Sequence, residues 1–181
     1  MGQSGQAGAE WPRFVFRPLG AGDLPLMRSW LHAPHVRPWF GEPRVWLEEI
    51  QETLSEGWIT HFIAVLPDGP AGFAQHYDCA SAPAGPWSGE PPGTLGIDYL
   101  LGRAELLGRG QGARLLADFL GHIRAVLGPR RVIADPTAEN RRSLRALAAN
   151  GFLLDPATGL HVREAQGRVN RGGAPGSAPP P

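Results

Sequence analysis

Residues 105–120 read "ELLGRGQGARLLADFL", with glycines at 108, 110 and 112 followed at once by apolar residues at helical spacing. Glycine in a regular element costs about 0.5–1 kcal/mol relative to alanine, so this clustering at a helix start implies that something comes close to the backbone. The preceding residues 94–101, "TLGIDYLL", read as a strand. Strand, glycine turn and helix N-terminus together form an anion site: unpaired N–H groups point outward, the helix dipole adds partial positive charge, and absent side chains let phosphate oxygens approach. Close packing against a neighbouring element is the other use of such glycines, and from this stretch alone the two stand level.

The ligand narrows by elimination. All 17 basic residues are arginine and lysine is absent, which excludes a GxxxxGK[ST] phosphate loop and lysine Schiff-base chemistry. The dinucleotide pattern GxGxxG is not met: the glycines are spaced GxGxG, and Leu115 stands where, counting from Gly110, the third would fall. With 17 acidic residues the net charge is zero, so nothing global favours nucleic acid or an anionic membrane surface. No apolar run reaches the roughly 18 residues of a membrane span, and the start "MGQSGQAGAEWPRF" lacks a basic and apolar leader; a cytoplasmic protein is expected. Cys79 is the only cysteine, which excludes an intrachain disulfide and a cysteine-based zinc site, and no metal site is expected.

Working outward, residues 14–19 read as a strand, and 22–31 as a helix capped by Asp23 with Leu24, Met27, Trp30 and Leu31 on one face. Residues 43–57 read as a helix with Leu47, Ile50 and Leu54 inward and Gly57 as its stop. Residues 61–78 form an antiparallel hairpin around Pro-Asp-Gly, and a Pro/Gly-rich insert over 79–93 leads to the strand 94–101. Behind the glycine turn, Leu115, Leu116, Phe119, Leu120, Ile123 and Leu127 make one apolar stripe. A short buried strand (131–135), a helix closed by Gly151 (138–152) and a final hairpin (152–164) complete the chain. The order β-α-α-β-β-β-α-β-α-β-β predicts an α/β (α+β) fold, a mixed sheet of about six or seven strands flanked by about four helices. Residues 1–12 and 166–181 are rich in Gly, Pro, Ser and Ala and are expected to be disordered, leaving 13–165 as one domain.

On these residues the chain resembles the GNAT superfamily of N-acetyltransferases. The segment 107–113, "LGRGQGA", is similar to that family's coenzyme A pyrophosphate loop, [QR]xxGx[GA]; Gly110 and Gly112 match, and Leu107 replaces the usual Gln or Arg. The element order is also the superfamily's. Within it, segments 35–42, 62–78, 92–101 and 133–152 resemble the aminoglycoside 6'-N-acetyltransferases, through Gly96-Ile97-Asp98, Asp135-Pro136 with Asn140, and Asn150-Gly151-Phe152. Siderophore acyltransferases acting on hydroxylated lysine share part of this pattern, including a His followed by a Trp in the first loop.

The resemblance implies acetyl-CoA as cosubstrate, held by Leu100, Gly108, Arg109, Gly110, Gln111, Gly112, Ala113 and Asn140. It implies direct transfer, in a ternary complex, to a small-molecule amine, above all the 6'-amine of an aminoglycoside. Asp98 matches the general base, and Trp39, Gln75, Tyr77 and Trp87 match the acceptor side; Asp135, which follows the short buried strand, is expected to open onto the same end of the sheet, where Asp98, Asp135, Asp78 and Glu90 gather at one substrate-binding mouth beside Trp39 and Trp87. Plainer readings stand beside these: Asp98 as a strand-edge residue bonded to a loop, Asp135 as the cap of a turn before Pro136, Asn140 as a helix cap. Trp30, Trp46 and Trp58 read as packing residues. The family's tyrosine acid is replaced here by Leu147, which leaves Tyr99 or water to protonate the departing thiolate. A hydroxylysine N-acyltransferase and a non-catalytic acetyl-CoA-binding module are the alternatives, and either a monomer or a homodimer is compatible.

Overall fold

The computed structural model describes residues 11–165; the tails expected to be disordered, apart from residues 11 and 12, lie outside the described residues. Its strands are β1 (Val15–Pro18), β2 (Ile59–Leu66), β3 (Gly69–Asp78), β4 (Thr94–Leu101), β5 (Arg131–Ala134), β6 (Leu153–Leu154) and β7 (His161–Glu164). They form one seven-stranded sheet in the order β1-β2-β3-β4-β5-β7-β6. Every pairing is antiparallel except β4 with β5. The helices are α1 (Leu24–Leu31), a four-residue α2 (Arg37–Phe40), α3 (Pro43–Thr53), α4 (Gln111–Val126) and α5 (Arg141–Ala149).

Strand alternation sorts the core into two layers. Ile63, Phe73 and Leu100 pack with Met27, Trp30, Leu31 and Ile50, so α1 and α3 cover one face. Phe62, Ala74, Leu95 and Ile97 pack with Leu116, Phe119, Ile123 and Leu147, so α4 and α5 cover the other. The apolar stripe of α4 is buried as far as Ile123, but Leu127 lies beyond the helix end and is 50% exposed. Asp23 precedes α1 without capping it; its carboxylate accepts the Gly20 N–H and pairs with Arg17 at 2.7 Å. Arg17 was available across the β1 turn, and a charged, bidentate partner outcompetes a helix amide.

The feature that makes a site is a fork. β4 and β5 pair only at Thr94, Leu95 and Gly96, opposite Arg131, Val132 and Ile133. β5 then ends at Ala134, where Asp135-Pro136 turns the chain away; proline offers no N–H to continue a ladder. From Ile97 to Leu101, β4 keeps β3 as its neighbour and leaves its other edge open.

Candidate active site

At one end of that open edge lies the glycine turn. Gly108 and Gly110 adopt φ of +72° and +75°, a left-handed backbone that L side chains resist, and Gly110 is the N-cap of α4. A Cβ on Gly110 would meet nothing within 4 Å. The glycine there therefore answers to backbone shape and leaves the first amides of α4 facing open space. Arg109 is exposed beside them, whereas the Gln111 side chain turns inward and is 2% exposed, leaving its backbone amide as what it offers. The Ala113 carbonyl is taken by the Asn150 amide, 2.9 Å away.

Three cavities lie in a row, the first of them against this turn. The first follows the β4 edge between Leu100, Leu101, Leu107, Gly112, Asn140 and Ser143. The second sits in the fork, lined by Trp39, Trp46, Asp98, Tyr99, Asp135 and Asn140. The third and largest, about 600 Å³, is walled by Trp46, Glu49, Trp58, Trp87, Asp98 and Asp135, with Glu52, Gln75 and Tyr77 alongside. The first two share Tyr99, Asn140 and Ser143, and the last two share Trp46, Asp98 and Asp135. The three cavities thus adjoin in a row, and Asp98 stands where the second meets the third.

Its electrostatics are those of a base. Gln75 Nε2 donates to Asp98 Oδ2 at 2.9 Å, yet burial outweighs that bond and, with Glu49 and Asp135 nearby, pushes the carboxyl up to about 6. Glu49, on the cavity wall, is also raised by desolvation. Tyr77 is buried under Trp87, ring centroids 5.0 Å apart, and burial beside acids raises its phenol far above the usual value. Gly96 of the GID segment exists for this ring: a Cβ there would run into it.

Several expectations change. Gln75 borders the acceptor cavity but is 2% exposed, its amide held between His61 and Asp98. Trp39 and Trp87 do not flank one mouth, since Trp39 lines the fork and Trp87 the far cavity. Asp78 and Glu90 leave the acidic cluster altogether. Asp78 accepts from Ala80 N and Ser81 Oγ in its own turn, and the buried Glu90 carboxylate is bound by Arg131 at 2.6 Å. Their place is taken by Glu49 and Glu52, and Trp46 and Trp58, which pack against the core as expected, also form part of the cavity wall. Trp46, Glu49, Glu52 and Thr53 recur every three or four residues, a second stripe beside the apolar one, and that spacing was the available signal. Asn140 caps α5 by accepting the Ser143 N–H and also lines the first two cavities. Leu147 is fully buried, while Tyr99 Oη meets Ser143 Oγ at 3.2 Å in the fork.

A sheet layered by helices on both faces, forked beside a glycine turn at a helix start, is the framework of an acyl-transfer domain. The acetyltransferase (GNAT) domain model matches residues 20–159, and the chain belongs to that family. It is 33% identical over 138 residues to the type 1 aminoglycoside N(6')-acetyltransferase of Klebsiella pneumoniae, spanning 72% of this chain and 69% of that one. The Serratia marcescens protein of the same name matches equally. Among solved structures, AAC(6')-Ib in complex with ribostamycin and coenzyme A superposes with a TM-score of 0.74 at 29% identity, covering 90% of this chain and 99% of that one. Among the described residues no helix is long and apolar enough to cross a membrane.

Proposed function

We propose that this protein transfers the acetyl group of acetyl-CoA to the 6'-amine of an aminoglycoside, directly and within a ternary complex. The observation that carries the reading is the row of three adjoining cavities from the glycine turn to an acidic, tryptophan-lined cavity, with Asp98 on the wall of the last two. The residues present fit acetyl-CoA: left-handed Gly108 and Gly110 leave the α4 amides clear for a pyrophosphate, and the open β4 edge can bind the amides of an extended arm as a further strand would. When bound, acetyl-CoA supplies an acetyl group activated as a thioester.

The chain's own residues do the rest. Glu49, Glu52, Asp98 and Asp135 gather negative charge in one cavity, and Trp46, Trp58 and Trp87 offer ring faces, a combination suited to a cationic amino sugar. Asp98 accepts the proton of the incoming ammonium, because a carboxyl titrating near 6 is ionised at neutral pH and still basic enough to take it. Burial holds the Tyr99 phenol protonated, and its position in the fork makes it the hydroxyl donor that Leu147 cannot be. Coenzyme A release is measured with aminoglycosides bearing a 6'-amine and with close analogues bearing a 6'-hydroxyl. Turnover with the first set alone is expected; turnover of hydroxylysine with no aminoglycoside acetylated overturns the acceptor assignment.

A further inference from the structure

The face of the sheet under α1 and α3 is apolar along the rung Ile63, Phe73, Leu100, which are cross-strand partners on β2, β3 and β4. Two residues away on each strand the equivalent rung is His61, Gln75, Asp98, again direct partners, and wholly polar. His61 and Gln75 are 4% and 2% exposed. A polar rung in such a place is costly unless every group is paired.

It is paired, in one direction only. A carboxylate can only accept, so the nitrogen end of the Gln75 amide faces Asp98, at 2.9 Å. The oxygen end then faces His61 Nδ1, at 2.8 Å, and that nitrogen must carry a hydrogen. Burial disfavours the imidazolium; with Nδ1 carrying the hydrogen, Nε2 of neutral His61 is an acceptor, 2.8 Å from a Thr53 hydroxyl on α3 whose one hydrogen is shared with the Glu49 carbonyl at 2.6 Å. Gln75 is the hydrogen-bond donor on the Asp98 side chain among the described residues. The other titratable groups facing Asp98 are Glu49 from α3, Asp135 beyond β5 and Tyr77 on β3, and none of them donates to it. His76 points through to the opposite face, against Phe62.

We propose that His61 is a positioning residue for Asp98, acting through Gln75: it fixes which end of the amide meets the carboxylate, and so keeps the base ionised and aimed into the cavities. Without a donor at position 61, the Gln75 oxygen loses its partner, the amide is free to turn over, and a carboxylate facing a carbonyl is driven to protonate. The inference builds on the proposed acetyl transfer, but its first readout does not depend on that reaction.

The test is the titration of the Asp98 carboxyl carbon by NMR, assigned with Asp98→Asn, in wild type, His61→Phe, His61→Asn and Gln75→Leu. Phenylalanine keeps the ring beside Phe73 and offers no donor; asparagine restores an N–H close to the Nδ1 position. The midpoint should rise by about one pH unit in His61→Phe and in Gln75→Leu, and should stay near the wild-type value in His61→Asn. With an aminoglycoside acceptor, the acid limb of kcat/KM should move by the same amount, with acetyl-CoA affinity unchanged. Should His61→Phe not fold, Gln75→Leu against His61→Asn decides. An unmoved midpoint in the donor-free variants, or equal shifts in His61→Phe and His61→Asn, overturns the proposal. Failure of wild type to acetylate any aminoglycoside refutes the functional reading instead and leaves the titration to stand alone.

Discussion

Asp98→Asn should make the protein more stable at neutral pH while destroying its activity. The native carboxyl titrates at about 6 instead of the ordinary 3.8, so between these values the folded chain holds a proton that the unfolded chain has lost. Stability therefore falls as pH rises through that window and stays low above it. The rise corresponds to at most about 3 kcal/mol at about 1.4 kcal/mol per pH unit. Asparagine is uncharged, keeps the shape, and can turn its oxygen toward Gln75 Nε2. Unfolding of wild type and variant, by heat and by urea, is to be compared from pH 4 to pH 8. The difference should be near zero at pH 4, grow through pH 5 and 6, and reach a plateau above pH 7, where it amounts to as much as about 6–12 °C in Tm for a domain of this size. A variant no more stable than wild type at pH 8, or a gain that does not change with pH, refutes the view that Asp98 is an ionised group held under strain.

The same substitution should lower kcat by about 100-fold or more and abolish an acid limb near pH 6 in kcat/KM, with acetyl-CoA affinity kept, since the β4 backbone is untouched. Gly110→Val, forced into a left-handed conformation and placing a branched side chain in the space before α4, should weaken acetyl-CoA binding at least about tenfold by calorimetry in a folded protein. Asp135→Asn should raise KM for the aminoglycoside more than it lowers kcat, which steady-state kinetics separates. Arg131→Ala strands the buried Glu90 carboxylate and should cost about 3 kcal/mol in urea unfolding, without changing KM for either substrate.

Much of this was legible from residue order alone. β4 was readable to the residue, because Thr94–Leu101 is bounded by Gly93 and Gly102 and holds Ile97, Tyr99 and three leucines. The fork was foreshadowed by Asp135-Pro136. What escaped was whatever depends on partners distant in sequence. α2 is four residues long, too short for any periodicity to mark. Leu127 continues the period of α4 in sequence but follows the last helical residue, with Gly128 at φ +57° just after it. Asp78 and Glu90 have the right chemistry for the acidic cavity, but a local turn and Arg131 claim them first. Glu49 and Glu52 were passed over because attention to the apolar period finds the face of α3 that meets the core, and these residues repeat on the stripe beside it. Gln75 was placed in the right neighbourhood but without its partners, since cross-strand register decides whether an amide meets solvent or a carboxylate.

The cavity beside the glycine turn and the acidic cavity under Trp87 have no wall residue in common; the fork lies between them and borders on both. On the proposed function, cosubstrate and acceptor are thus given separate berths, so a change in the wall of one, such as at Glu52 or Trp58, is expected to alter the choice of acceptor and leave the grip on coenzyme A as it was.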